Sequence, residues 1–239
     1  WNAIGWLPFN IIFSYIGLGF FVPLDILFSF WMLLLLFKGQ IVLGRAIGFQ
    51  SLPNFPYSYE QSSGGYLALG AISIWITRKH FRSLIRIAFG KEKTEDSSEV
   101  IIYRIAIFTL LVGTLILVVF CLYLGMSIVI SLSFFILYYI ILLAVARMRA
   151  EVGTPLHDLH FGGPSSILMN MLGSRRMGHS TLVGLAQLWF MDRAYRSNPM
   201  PHQLETLKIS ERIGADRKGF IYALIVAGIL SGPMAIWAM

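Results

Sequence analysis

The stretch from Ile101 to Ala146 reads IIYRIAIFTLLVGTLILVVFCLYLGMSIVISLSFFILYYIILLAVA, and Arg104 is its only charge. Two apolar runs, 101–124 and 126–146, meet around Gly125. Each reaches the roughly 20 apolar residues that cross a bilayer's hydrocarbon core as a helix. Lipid offers the backbone no hydrogen bonds, so such runs fold as helices, and the glycine between them predicts a tight hairpin. Thr109, Thr114, Ser127, Ser131, Ser133, Tyr138 and Tyr139 place hydroxyls along it, where they can bond across helices or back to their own. Arg104 lies near an end and can snorkel to the interface.

Composition extends this reading to all 239 residues. Hydrophobic residues make up 56%, charged residues 13%, and mean hydropathy is +0.71. Soluble domains carry about 25% charged residues. An all-α, polytopic transmembrane bundle is expected over 1–239 as a single transmembrane region. Its spans are near 24–44, 62–78, 101–123, 126–147 and 219–239, with 3–22 a less certain one before them. Alternating sides collects the bases of 78–100 and 147–218 on one face and leaves Lys38 and Arg45 on the other. By the positive-inside pattern the basic face is cytoplasmic, which predicts residence in a prokaryotic inner membrane. The formal charge of +7 then reflects topology and anionic headgroups, with the lipid bilayer as partner and no nucleic acid. The chain begins at Trp1 and stops at Met239 inside an apolar run, so a fragment of a longer chain is expected, its missing remainder being a further partner. Cys121 alone can form neither an internal disulfide nor a CxxC box.

After the hairpin comes a polar, glycine-rich island, 151–180. It runs Glu151-Val-Gly-Thr-Pro155-Leu-His157-Asp158-Leu-His160-Phe-Gly162-Gly163-Pro164-Ser165-Ser166, and continues to Arg175-Arg176-Met-Gly-His179-Ser180. Irregular backbone of this kind must lie in water, in protein or along a water-filled cavity. Glu151, His157, Asp158 and His160 offer imidazole and carboxylate ligands of the kind divalent metals take. H-D-x-H is not the zinc-helix spacing, and structural hydrogen bonding of a polar loop explains these residues as well. Gly162-Gly163-Pro164-Ser165-Ser166 marks the start of a short helix over 165–172, carrying Asn170, whose first N–H groups could hold an anion. Thr181–Met191 is apolar but about half a span, which fits a re-entrant half-helix or a surface helix, closed by Asp192-Arg193. The segment 151–218 is thus a cytoplasmic-side polar or re-entrant region.

Elsewhere the signals are local. Pro23-Leu24-Asp25 marks a helix start, since proline suits the first turn and an acid suits its dipole. Either that helix runs past Lys38 and Gln40 to Gly44, or Asp25 lies at membrane depth where a broken helix begins. Gly64, Gly65 and Gly70 permit close helix approach, and Gly228-x-x-x-Gly232 does the same beside a kinking Pro233. Amphipathic helices are expected on the cytoplasmic surface around 81–88 and after Pro199-Met-Pro201, through Leu204, Leu207, Ile209 and Ile213.

Several motifs together resemble a large family of uncharacterised prokaryotic multi-spanning proteins. They are Gly17-Leu-Gly-Phe-Phe-Val-Pro23-Leu24-Asp25 with Trp31; Gln61-x-x-Gly64-Gly65-Tyr66 with Trp75 and Arg78-Lys79-His80; Glu151-x-Gly153-x-Pro155-x-His157-Asp158; and His202-Gln203-Leu204-Glu205. The resemblance covers nearly the whole chain, although the family's members are much longer. In outline it is also similar, more distantly, to oligopeptide-transporter-like proteins. It transfers no catalytic or binding residue to this sequence.

The expected function is membrane transport of a small solute by a secondary transporter. The candidate solute or ion pathway comprises Asp25, Glu151, His157, Asp158, His160, Ser165, Ser166 and Asn170. No cofactor and no catalytic residue is assigned on this reading. The alternatives are a membrane-embedded metal enzyme built on Glu151, His157, Asp158 and His160, or a structural membrane subunit.

Overall fold

The computed structural model describes residues 4–5, 10–90, 97–152, 159, 162–193, 195, 198–214 and 217–238. The fold is all-α. Among the described residues there are eleven α-helices and one short 3-10 turn over Phe49–Ser51. They are α1 Phe13–Phe20, α2 Leu24–Ile47, α3 Ser58–Ala88, α4 Ser97–Tyr123, α5 Ile128–Val152, α6 Pro164–Leu172, α7 Ser174–Met177, α8 His179–Gln187, α9 Trp189–Asp192, α10 Pro199–Ile213 and α11 Arg217–Ala238. Four of them, α2, α4, α5 and α11, are long and apolar enough to cross a membrane.

The chain divides into two compact units, Trp1–Ser62 and Ser63–Met239. In the first, α2 starts after Pro23 and carries Asp25 in its first turn, as the sequence predicts. It continues unbroken through Lys38 and Gln40 to Ile47, so the longer of the two expected courses is the one adopted. Its 24 residues rise about 36 Å, enough for a bilayer core. Gly48, at φ 94°, closes the helix in the left-handed conformation that glycine tolerates best.

The second unit is organised around α5. Of its span, 39% is buried, against 11% for α4, so α5 is the axis on which the others pack. The hairpin expected from the sequence is present: α4 and α5 pack together and are tied by Thr114 and Tyr139, whose hydroxyls are 2.7 Å apart. Arg104 donates through Nε to the Ala88 carbonyl at the end of α3. Where α3 crosses α5, a Cβ on Gly70 would lie 2.6 Å from the Ile140 carbonyl oxygen, so only glycine fits. Gly64, Gly65, Gly228 and Gly232 meet nothing within 4 Å, so of the glycines expected to permit close approach Gly70 alone does so among the described residues.

The short helices follow local signals. Pro164 opens α6 and Pro199 opens α10, where a missing N–H costs nothing. Asn198 caps α10 by accepting from the Met200 N–H at 3.2 Å. Pro199 and Pro201 therefore form this helix's first turn, where the sequence suggests only a break before it. The tip α7 is bracketed by Gly173 and Gly178, at φ 76° and 74°, which a side chain would strain.

Candidate functional site

Helices α6 to α9 form a helical hairpin laid against α5, and its two ends can be placed along that helix. At the base, Tyr195 stacks near Tyr138, with ring centroids 6.0 Å apart. It is buried with Ile141, Val145, Leu159 and Ile167, around the middle of α5. At the tip, Ser180 and Thr181 meet the α4–α5 turn. The Ser127 N–H donates to Thr181 Oγ1 at 3.3 Å, and a Cβ on Gly125 would lie 3.2 Å from Ser180 Cβ. Between the two ends, Leu168, Met177, Leu185 and Leu188 join Val118, Cys121, Phe134 and Phe135 in one apolar core. From its base near the middle of α5 the hairpin reaches past the Ile128 end and returns to the same height.

Glycine makes the base possible. A Cβ on Gly163 would stand 2.6 Å from Asp192 Cβ and 2.7 Å from the Asp192 carbonyl oxygen. One on Gly162 would stand 2.6 Å from Ser63 Oγ, which instead donates to the Gly162 carbonyl at 2.8 Å. The strand of chain before α6 can therefore lie directly on the end of α9.

There the structure brings together groups 27 positions apart. The Ser165 N–H, in the first turn of α6, donates to Asp192 Oδ2 at 2.9 Å. The free N–H groups that the sequence offers to an external anion thus meet a carboxylate from the chain itself. A hydrogen bond to a charged group of this kind contributes about 1.5–3 kcal/mol. Asp192 is 4% exposed and has no ion-pair partner among the described residues. Its neighbour Arg193 instead places its guanidinium 4.7 Å over the Trp189 ring.

Burial pushes the Asp192 carboxyl above its ordinary range, opposed by the nearby Ser165 hydroxyl and the backbone N–H. That hydroxyl is itself buried and makes no completed hydrogen bond. Burial, followed by the charge on Asp192 and the neighbouring Tyr138, raises the Tyr195 phenol as well. A cavity of about 310 Å³ opens beside these groups, lined by Ser165, Ser166, Leu185, Trp189, Asp192 and Arg193 among others.

Of the residues singled out from sequence, Ser165 and Ser166 line this cavity. Asn170 lies on the exposed side of α6 and is not among the lining residues. Glu151 is exposed and pairs with Arg147 one turn earlier, Nε to Oε1 at 2.7 Å, and Arg147 also donates to Ser73 Oγ. Asp25 is exposed in the first turn of α2, within the first unit. His157, Asp158 and His160 lie outside the described residues. Among the described residues no three His, Cys, Asp or Glu side chains gather as metal ligands would. Asp192 was read from sequence only as the polar end of an apolar stretch. The available signal was an acid directly after a half-length apolar run, which a neighbouring arginine disguises as an interfacial ion pair.

An all-α bundle with four membrane-length apolar helices and a polar, half-length helical hairpin beside them defines a membrane protein. The chain belongs to the family described as "Family of unknown function (DUF6785)", whose model matches residues 1–239. No curated protein and no solved structure matches it.

Proposed function

We propose that this protein moves a small solute across a membrane as a secondary transporter, and that the cavity at the base of the α6–α9 hairpin lies on the solute or ion path. The observation that carries this reading is the depth of Asp192. If α5 crosses the bilayer, a buried acid level with Tyr138 and Ile141 stands near the midplane, beside a cavity and the N-terminus of a half-length helix. Secondary transporters bind substrate and coupling ions in this setting, where discontinuous helices end at mid-membrane. Intramembrane acids that face a cavity are by default functional, because their burial is costly.

On the same reading α2, α4, α5 and α11 cross the membrane, α3 crosses around 62–78, and the basic segments face the cytoplasm of a prokaryotic cell, except that the hairpin's tip carries Arg175 and Arg176 toward the opposite side. The hairpin then enters from the cytoplasmic side and touches the opposite side at Ser180 and Thr181, which makes it re-entrant.

The test places a single cysteine at Ser166 in a Cys121→Ser background, and labels it with membrane-impermeant thiol reagents in right-side-out and inverted vesicles. Transport requires that the cavity be reached from the outer side as well as from the basic side. Labelling from the basic side alone would remove the support for a path and leave the hairpin as a folded connector.

A further inference from the structure

We infer that Asp192 is the coupling site of this hairpin: it takes up a proton from the cavity, and the protonated carboxyl donates to Ser165 Oγ. This deepens the transport reading and rests on it for the word coupling, although protonation itself does not depend on transport. The geometry has three parts. Asp192 is 4% exposed, with neither cation nor metal ligand set against it among the described residues. Its one hydrogen bond from another residue, the Ser165 N–H to Oδ2, leaves the carboxylate short of the partners that a buried charge needs. Ser165 Oγ, 6% exposed and lining the same cavity, is buried with no hydrogen bond completed. A serine hydroxyl can donate to a carboxylate and accept from a carboxylic acid, so Ser165 Oγ, with no other partner completed, can serve Asp192 in either protonation state.

The step balances simply. Water in the cavity delivers H⁺ to a carboxylate oxygen, the O–H so formed donates to Ser165 Oγ, and no electrons move. The groups facing Asp192 do not compete for that proton. Tyr138 on α5 and Tyr195 beyond α9 are phenols, and neither supplies a positive charge that would hold Asp192 ionised. Arg193, on the same segment, is engaged with Trp189. Loss of the carboxylate's charge weakens its bond to the α6 N–H, because a neutral acceptor holds a donor about half as strongly as a charged one. Protonation therefore loosens the contact between α9 and α6 that closes the hairpin's base. That contact is the natural place for the cavity to open.

The experiment is pH-difference infrared spectroscopy on the purified full protein, combined with the Ser166 cysteine labelling across the same pH range. The wild type is expected to show a protonated-carboxyl C=O band that titrates with a midpoint above about 4, the ordinary carboxyl value. The band should vanish in Asp192→Asn and move in frequency in Ser165→Ala, a shift that a merely structural serine would not produce. Labelling at position 166, taken relative to that of the same cysteine in the unfolded protein at each pH, should rise on the order of tenfold as Asp192 protonates, and this ratio should lose its pH dependence in Asp192→Asn. Absence of the band, or an ordinary midpoint, would overturn the assignment. A midpoint that falls when potassium is replaced by sodium would overturn it in favour of a sodium site. Because the titration needs no solute, a titrating Asp192 with one-sided labelling would refute transport while leaving the proton site standing.

Discussion

Replacing Gly163 with alanine tests whether the hairpin closes as described. The added methyl would lie 2.6 Å from Asp192 Cβ and 2.7 Å from the Asp192 carbonyl oxygen, far inside van der Waals contact. Neither atom is the tip of a flexible side chain, so relief requires moving the backbone of α9 away from α6. Overpacking of this sort costs about 1–3 kcal/mol. At about 2–4 °C per kcal/mol for a chain of this size, the midpoint of thermal unfolding should fall by about 2–12 °C. Gly64→Ala in α3 is the matched control, because its methyl meets nothing within 4 Å. Alanine is favoured over glycine in a helix by about 0.5–1 kcal/mol, so that variant should hold or gain a few degrees. Both are read from the loss of monodisperse protein on gel filtration after heating in detergent. If Gly163→Ala were as stable as Gly64→Ala, the close packing of the α6 entry on Asp192 would be wrong, and with it the placing of Ser165 beside the carboxylate.

Two further outcomes follow from the same region. Thr181→Val removes the acceptor for the Ser127 N–H at the hairpin's tip and should lower stability by about 0.5–1.5 kcal/mol, with Thr181→Ser restoring most of it; equal melting of all three would show that the tip contact contributes nothing. For Asp192 the sign is set by the direction of its shift. A carboxyl raised in the folded state keeps its proton to higher pH than in the unfolded chain, so its contribution to stability falls as pH rises from the ordinary value of 3.8 through the raised one, then levels off. The stability of wild type relative to Asp192→Asn should accordingly decline across that window in denaturation curves, and a rising difference would reverse the reasoning.

How much of this was legible depends on the range of each interaction. The helix start at Pro164 was visible because a proline acts on its own turn, and the α4–α5 hairpin because its apolar runs and glycine are contiguous. The course of α2 was legible only as two alternatives. Lys38 and Gln40 look like a boundary when read as polar residues, yet a long helix in an apolar setting carries them without breaking. Glu151 stands in a ligand-like pattern in the sequence, and in the structure it pairs with Arg147 one turn away on the same helix face.

The sequence by itself determined that the protein is helical and made for a membrane, because composition and run length are properties of contiguous residues set against the thickness of lipid. It also determined that the polar island needs shelter from lipid, since irregular backbone must find hydrogen bonds somewhere. Only the tertiary structure decided where that shelter is. It returned the chain from Gly163 to Asp192, filled the anion-seeking end of α6 with the protein's own carboxylate, and left Ser165 Oγ beside it unsatisfied. Those contacts join residues far apart in the chain. Their energy depends on how the hairpin packs along α5, which no periodicity or spacing in the sequence records.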